Sequence, residues 1–127
     1  MRRFSCFVYA VVISTLTSTT SFAGNFGGYW KDRNMDGSVF IYTDDGYNVR
    51  GTLSSREYEH TFSGNHQSPD SAYINITRVN RNSGCITVMY ARITMVNPYT
   101  INQQIMGSDG RCDVPVNYTE FRILDRQ

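Results

Sequence analysis

Oxygen-bearing side chains alternate along a short segment of the chain. Asp32, Asn34, Asp36 and Ser38 occupy every second position, and Gly37 supplies the residue that a tight bend needs. This spacing is that of the first half of a calcium loop of the D-x-[DN]-x-[DN]-G type. The twelfth position, however, is a threonine instead of the bidentate glutamate. The pattern therefore predicts a weak calcium site, or else a turn in which these side chains bond their own backbone.

A second group of residues has the types that acid–base catalysis uses. Glu57, Glu59, His60 and His66 follow one another closely, with Arg56 beside them. A secreted nuclease or glycosidase needs two such groups a few ångströms apart across a cleft. Strand alternation places Glu57 and Glu59 on one face and His60 on the other, and two histidines are too few for zinc. We therefore expect a solvated edge strand here, with no catalytic residues.

Short alternating runs, separated by glycine, asparagine, aspartate and proline, position these residues. They predict strands, because no segment sustains the 3.6-residue period of a helix. The eight predicted strands span residues 28–33, 38–43, 47–53, 57–62, 71–79, 85–96, 99–105 and 118–124. Residues 63–70 are expected to form the longest loop. We predict an all-β antiparallel fold, an eight-stranded up-and-down barrel or alternatively a β-sandwich.

The alternation within the strands also predicts which side chains face the core. Pairs of apolar residues two positions apart should share one side, and the opposite positions are mixed. The predicted core pairs are Val39 with Ile41, Ile74 with Ile76, and Phe121 with Ile123. On the last strand, Glu120 and Arg122 would then face away from the core.

Gly28-Tyr29-Trp30 on the first predicted strand, together with Arg122 on the last, resembles the calycin superfamily of lipocalins, avidins and small bacterial metalloprotease inhibitors. In that superfamily the tryptophan closes one end of the barrel and the last-strand arginine packs over it. The segments 37–43 and 51–55 look like the opening strands of avidins, whose biotin-binding serines would match Ser38 and Ser55. The resemblance implies ligand binding through Trp30, Ser38, Tyr42, Ser55 and Arg122.

The first 23 residues have the order of a secretory signal. A basic start is followed by an apolar run too short to span a bilayer, and Ser21-Phe22-Ala23 fits a cleavage site. Cleavage would leave residues 24–127 as a single domain in an oxidising compartment, secreted or periplasmic. It would also remove Cys6, so that Cys85 and Cys112 are expected to form a disulfide.

The net charge of the mature domain argues against some classes of binding partner. Losing Arg2 and Arg3 leaves 10 basic residues against 11 acidic ones, a net charge of −1. A nucleic-acid or anionic-membrane partner would need a clustered basic face, so neither is predicted. We predict an exported non-enzymatic protein that binds a small molecule or a secreted or periplasmic protein. The alternatives are an inhibitor of an exported protease or lysozyme, which would insert residues 24–27 into the enzyme, and a secreted hydrolase. No cofactor other than calcium is expected.

Overall fold

A computed structural model describes residues 25–127, which form eight β-strands. The predicted signal segment, residues 1–23, lies outside the described residues. The strands are β1 (Gly28–Asp32), β2 (Ser38–Asp44), β3 (Asn48–Ser54), β4 (Tyr58–Ser68), β5 (Ser71–Asn80), β6 (Ile86–Asn97), β7 (Thr100–Ser108) and β8 (Glu120–Arg126). Among residues 25–127, no helix has the length and apolar character needed to cross a membrane.

The strands follow one another around a closed barrel in chain order, each antiparallel to its neighbours, and β8 pairs with β1. The predicted all-β up-and-down barrel is confirmed, and the sandwich alternative is wrong. At the closed end of the barrel lie residue 28, the hairpins β2–β3, β4–β5 and β6–β7, and the carboxyl terminus. The loops β1–β2, β3–β4, β5–β6 and β7–β8 lie at the other end, which we call the open end.

Inward and outward side chains alternate as the pleat requires. Val39 and Ile41 on β2, and Ile74 and Ile76 on β5, are all at most 4% exposed. The β2–β3 hairpin turns at Gly46, whose φ of 89° is a conformation that glycine adopts without strain. Local sequence signals therefore predicted both the core face and the turn of this part of the sheet.

The predicted loop at residues 63–70 is mostly strand, which corrects the sequence-based expectation. β4 runs on to Ser68, and its extension pairs with β3 as well as with β5. Only Pro69 and Asp70 separate it from β5. The segment is polar because its outward residues meet solvent, and a strand of a barrel needs apolar residues on its inner face only.

The predicted face of β8 is also wrong. Phe121 is 55% exposed on the outer surface, whereas Leu124 is buried. Since side chains alternate with a period of two, burying Leu124 turns Glu120 and Arg122 inward as well. The last strand thus directs two charged side chains into the barrel at its open end.

The closed end is packed around Trp30, which is 1% exposed and donates a hydrogen bond from Nε1 to the carbonyl of Phe26 at 2.8 Å. The guanidinium of Arg126 lies 4.2 Å from the centre of the Trp30 ring. It also donates hydrogen bonds to the carbonyls of Pro98 and Gly27, both at 2.8 Å. The arginine over the tryptophan is therefore Arg126, and the assignment of this role to Arg122 was wrong.

The open end carries the disulfide. Cys85, in the β5–β6 loop, is bonded to Cys112, in the β7–β8 loop, as predicted from the cysteine count. Cys112 and Asp113 both have positive φ, of 58° and 62°. The disulfide thus ties the longest loop of the barrel, residues 109–119, to the neighbouring hairpin.

Candidate functional site

A cavity of about 290 Å³ opens at the open end of the barrel, and we call it the cup. Its lining combines apolar side chains with charged and polar ones from seven strands and their loops. The lining residues are Asp32, Met35, Asp36, Gly37, Leu53, Ser55, Arg56, Glu57, Tyr58, His60, Arg78, Met89, Gln103, Ile105, Glu120 and Arg122. Below the cup the barrel is filled with side chains, and the space left there is only about 10 Å³.

Arg122 and its carboxylate partners form one wall of the cup. Its guanidinium forms an ion pair with Glu120 and lies 3.5 Å from Oδ2 of Asp32. Asp32 is 6% exposed, so its charge requires such a partner. The hydroxyl of Tyr118 donates a hydrogen bond to Glu120 at 2.9 Å. Burial and this hydrogen bond to Glu120 raise the pKa of Tyr118.

His60 faces the cup from β4. Its Nε2 atom is buried and has no hydrogen-bond partner among the described residues. Burial lowers the pKa of His60 to about 4, and the positive charges of Arg78 and Arg122 add to the effect. At neutral pH the ring is therefore uncharged, and its buried nitrogen is free to bond to a group that enters the cup.

Arg78 and Gln103 complete the polar lining. The Arg78 guanidinium lies 4.2 Å from the centre of the Tyr58 ring. No hydrogen bond or ion pair joins it to another group of residues 25–127. Gln103 is 6% exposed, and its amide likewise makes no hydrogen bond within that range. Arg78 and Gln103 thus line the cup with N–H donors that have no partner within the described part of the chain.

The five residues predicted to bind a ligand lie in three different places. Ser55 and Arg122 line the cup. Trp30 is buried at the closed end, outside the cup. Ser38 is exposed, and Tyr42 is 57% exposed on the outer face of β2. Ser38 and Tyr42 share the outward face of β2 and do not line the cup, so ligand binding through them stays a prediction.

The residues of the predicted calcium turn make protein contacts. Oδ1 of Asp32 accepts hydrogen bonds from the backbone N–H groups of Asn34 and Met35, at 3.0 and 3.1 Å. Oδ2 of Asp36 accepts one from the backbone N–H of Arg56 at 2.9 Å, and this bond lowers the pKa of Asp36. This is the turn that the sequence offered as the alternative. Residues 25–127 contain no cluster of three acidic, histidine or cysteine side chains arranged for a metal. Calcium binding stays a prediction.

The candidate acid–base residues are separated. Glu57 lines the mouth of the cup, while Glu59 lies on the outside, paired with Arg81. His66 lies at the closed end, where its Nε2 is 2.8 Å from Oδ1 of Asp44. His60 and His66 therefore belong to opposite ends of the barrel, although six positions separate them in the sequence.

The lead segment of the predicted inhibitor is held against the closed end as far as it is described, and Gly24 lies outside the described residues. Phe26 is fully buried, and its N–H donates to Oδ2 of Asp44 at 2.6 Å. The carbonyls of Asn25 and Gly27 accept hydrogen bonds from Arg126. These contacts leave residues 25–27 engaged with the barrel, so insertion into an enzyme would have to break them.

Sequence reasoning missed Arg78, Gln103, Glu120 and Tyr118. Arg78 and Gln103 stand at positions that alternate in step with buried isoleucines, Ile76 and Ile101. The sequence signal that could have identified them is a polar residue at a strand position where the alternation predicts a buried apolar one.

Comparison of the chain with protein-family models, curated proteins and solved structures found no match. The cup is therefore the feature that bears most directly on function.

Proposed function

We propose that this protein is an exported, non-enzymatic binding protein that holds a small molecule in the cup. The proposal is supported above all by a cavity of about 290 Å³ whose lining contains the buried Nε2 of His60, which has no partner among residues 25–127. Buried polar groups without partners are rare in proteins, and convergent polar groups in an apolar-walled cavity are typical of ligand sites.

Export and a calycin-like relationship are parts of the same proposal. A Cys85–Cys112 disulfide is the kind of bond that persists in oxidising compartments. The buried Trp30 beneath the last-strand Arg126 supports the likeness to calycins at the closed end. Binding rather than catalysis is favoured because the two histidines lie at opposite ends, and the cup contains no nucleophile paired with a base.

Native mass spectrometry of the full chain, purified from an exporting host without denaturation, tests the proposal. We expect a small-molecule adduct that is removed by organic solvent. The His60→Phe variant fills the inner part of the cup and should lose the adduct. The matched control is Phe40→Leu on the outer face of β2, which should keep it. An adduct retained equally by both variants, or none in the wild-type protein, would contradict the proposal.

A further inference from the structure

The arginines of the cup differ in whether they have a carboxylate partner. Arg56, Arg78 and Arg122 are the arginines among its lining residues. Arg122 is paired with Glu120 and lies near Asp32, and Arg56 lies 3.6 Å from Asp36 at the mouth. Of the three, only Arg78 has no carboxylate partner among residues 25–127.

Arg78 is held in place without using its N–H groups. Its planar guanidinium packs over the Tyr58 ring, so the face of the group is covered by an aromatic ring. The edge of the guanidinium carries the five donors, in a geometry that matches the two oxygens of a carboxylate. A half-buried guanidinium whose donors have no partner among residues 25–127 is suited to bind an oxyanion.

The positive charge of Arg78 also acts on the neighbouring side chain of His60. Arg78 is the cross-strand partner of His60 in the pairing of β4 with β5, and the positive charges of Arg78 and Arg122 both lower the pKa of His60. Arg122 is balanced by Glu120, whereas Arg78 has no carboxylate partner among residues 25–127. The part of the cup around His60 and Arg78 is therefore positive, and an anionic group is stabilised there.

The other residues that line the cup limit the size and polarity of the part of the ligand that carries no charge. Leu53, Met89 and Ile105 provide apolar walls, and the neutral His60 and Gln103 offer hydrogen bonds deeper in the cup. The volume corresponds to roughly ten water molecules. A ligand that fits has an apolar body of a few carbon atoms or one ring, with one oxyanion group.

We propose that the cup selects small organic anions, with the carboxylate, sulfonate or phosphate group bound by Arg78 next to His60 and the apolar body against Leu53, Met89 and Ile105. This assignment rests on the proposed binding function and names its ligand class. It also accounts for a difference among the three arginines: Arg56 and Arg122 each pair with a carboxylate, and Arg78 has no such partner among residues 25–127.

Benzoate and its uncharged amide, benzamide, form a matched pair of probes for the full chain. Binding is measured by calorimetry and by the imidazole NMR signals of His60. We expect benzoate to bind at least about tenfold more tightly than benzamide, because a charge-assisted hydrogen bond is worth about 1.5 kcal/mol or more. Arg78→Met should abolish this preference, and Arg78→Lys should keep part of it. The matched control Arg92→Met, at an exposed position on the outer face of β6, should leave it unchanged.

The outcomes separate the ligand class from the binding function. Equal binding of benzoate and benzamide, or a preference that survives in a folded Arg78→Met variant, would overturn the anion assignment and leave the cup as a small-molecule site. Failure of both probes to perturb His60 at millimolar concentration would overturn the assignment and count against the proposed function as well. A benzoate preference lost in both arginine variants would show general charge attraction and would also overturn the role of Arg78.

Discussion

The two ends of the barrel differ in whether their histidine and arginine side chains have hydrogen-bond partners. At the closed end, His66 has oxygen atoms near both ring nitrogens, and Arg126 is bonded to three carbonyls and covers Trp30. At the open end, the His60 Nε2 and the Arg78 guanidinium have no such partners among the described residues. Satisfied polar groups stabilise a fold, whereas unsatisfied ones in a cavity reduce stability and favour a ligand.

The largest effect is expected at the closed end, from Trp30→Ala. Removing a fully buried aromatic side chain should lower the free energy of unfolding by about 4 kcal/mol, because contacts are lost and a cavity is left. Urea unfolding followed by circular dichroism measures it. The neighbouring Tyr29→Ala, at a residue 62% exposed, is the control and should cost less than about 1 kcal/mol. Equal losses would contradict the description of the closed end as the packed one.

Removing the disulfide tests how much the open end contributes to stability. The double substitution Cys85→Ser, Cys112→Ser opens a loop with a sequence separation of 27 and should cost about 3–4 kcal/mol in the chain-entropy model. Trp30 is the only tryptophan in the chain, so its fluorescence reports on the closed end. We expect that fluorescence to stay native before denaturant is added, while the urea midpoint falls. A shifted emission maximum without urea would show that the disulfide also supports the closed end.

His60 should make the stability depend on pH. In the unfolded chain its pKa is near 6.5, and in the fold it is about 4, so below pH 6.5 the unfolded state takes up a proton that the fold resists. This contribution to stability is complete above pH 6.5 and is lost progressively towards pH 4, on the order of 3 kcal/mol in total.

The variant His60→Gln does not titrate and isolates this contribution. The difference in unfolding free energy between wild type and variant, measured by urea titration at several pH values, should shrink or change sign in favour of the variant as the pH falls from 6.5 to 4. A difference that is constant over this range would mean that His60 is not held uncharged by the cup.

A smaller effect is expected from Arg126→Met. The change removes the contact over Trp30 and the hydrogen bonds to three carbonyls, and should cost about 2 kcal/mol. Arg33, whose exposed guanidinium pairs with Asp125 at 2.8 Å, is the control. Arg33→Met should cost much less than Arg126→Met, since exposed ion pairs contribute little. If thermal denaturation gave the same loss for both, Arg126 would not act as a cover for the closed end.

The sequence predicted the fold class, the strand count and the disulfide well. Val39, Ile41, Ile74 and Ile76 face the core as predicted, because aliphatic residues two positions apart on a strand share one face. It failed on β8, where both faces contain apolar and charged residues. Phe121 suggested one face and Leu124 the other, and local pattern cannot decide between them.

The candidate site was predicted in part. Ser55, Arg122, Asp32 and Asp36 were singled out by motif, and they line the cup. The reasons given for them were different, however: a calcium loop for Asp32 and Asp36, an avidin-like serine for Ser55, and a cover over Trp30 for Arg122. Arg78 and Gln103 were missed, because each is an isolated polar residue on a strand and has no motif around it.

From the chain alone follow the eight strands, their tight turns and the disulfide, because alternation, turn residues and cysteine number are local or compositional. Closure of the barrel decided the rest. Pairing β8 with both β7 and β1 sets its register, which buries Leu124, turns Arg122 into the cup and brings Arg126 over Trp30. Residues distant in sequence share one cavity only after that closure, so the contrast between the two ends is a property of tertiary structure.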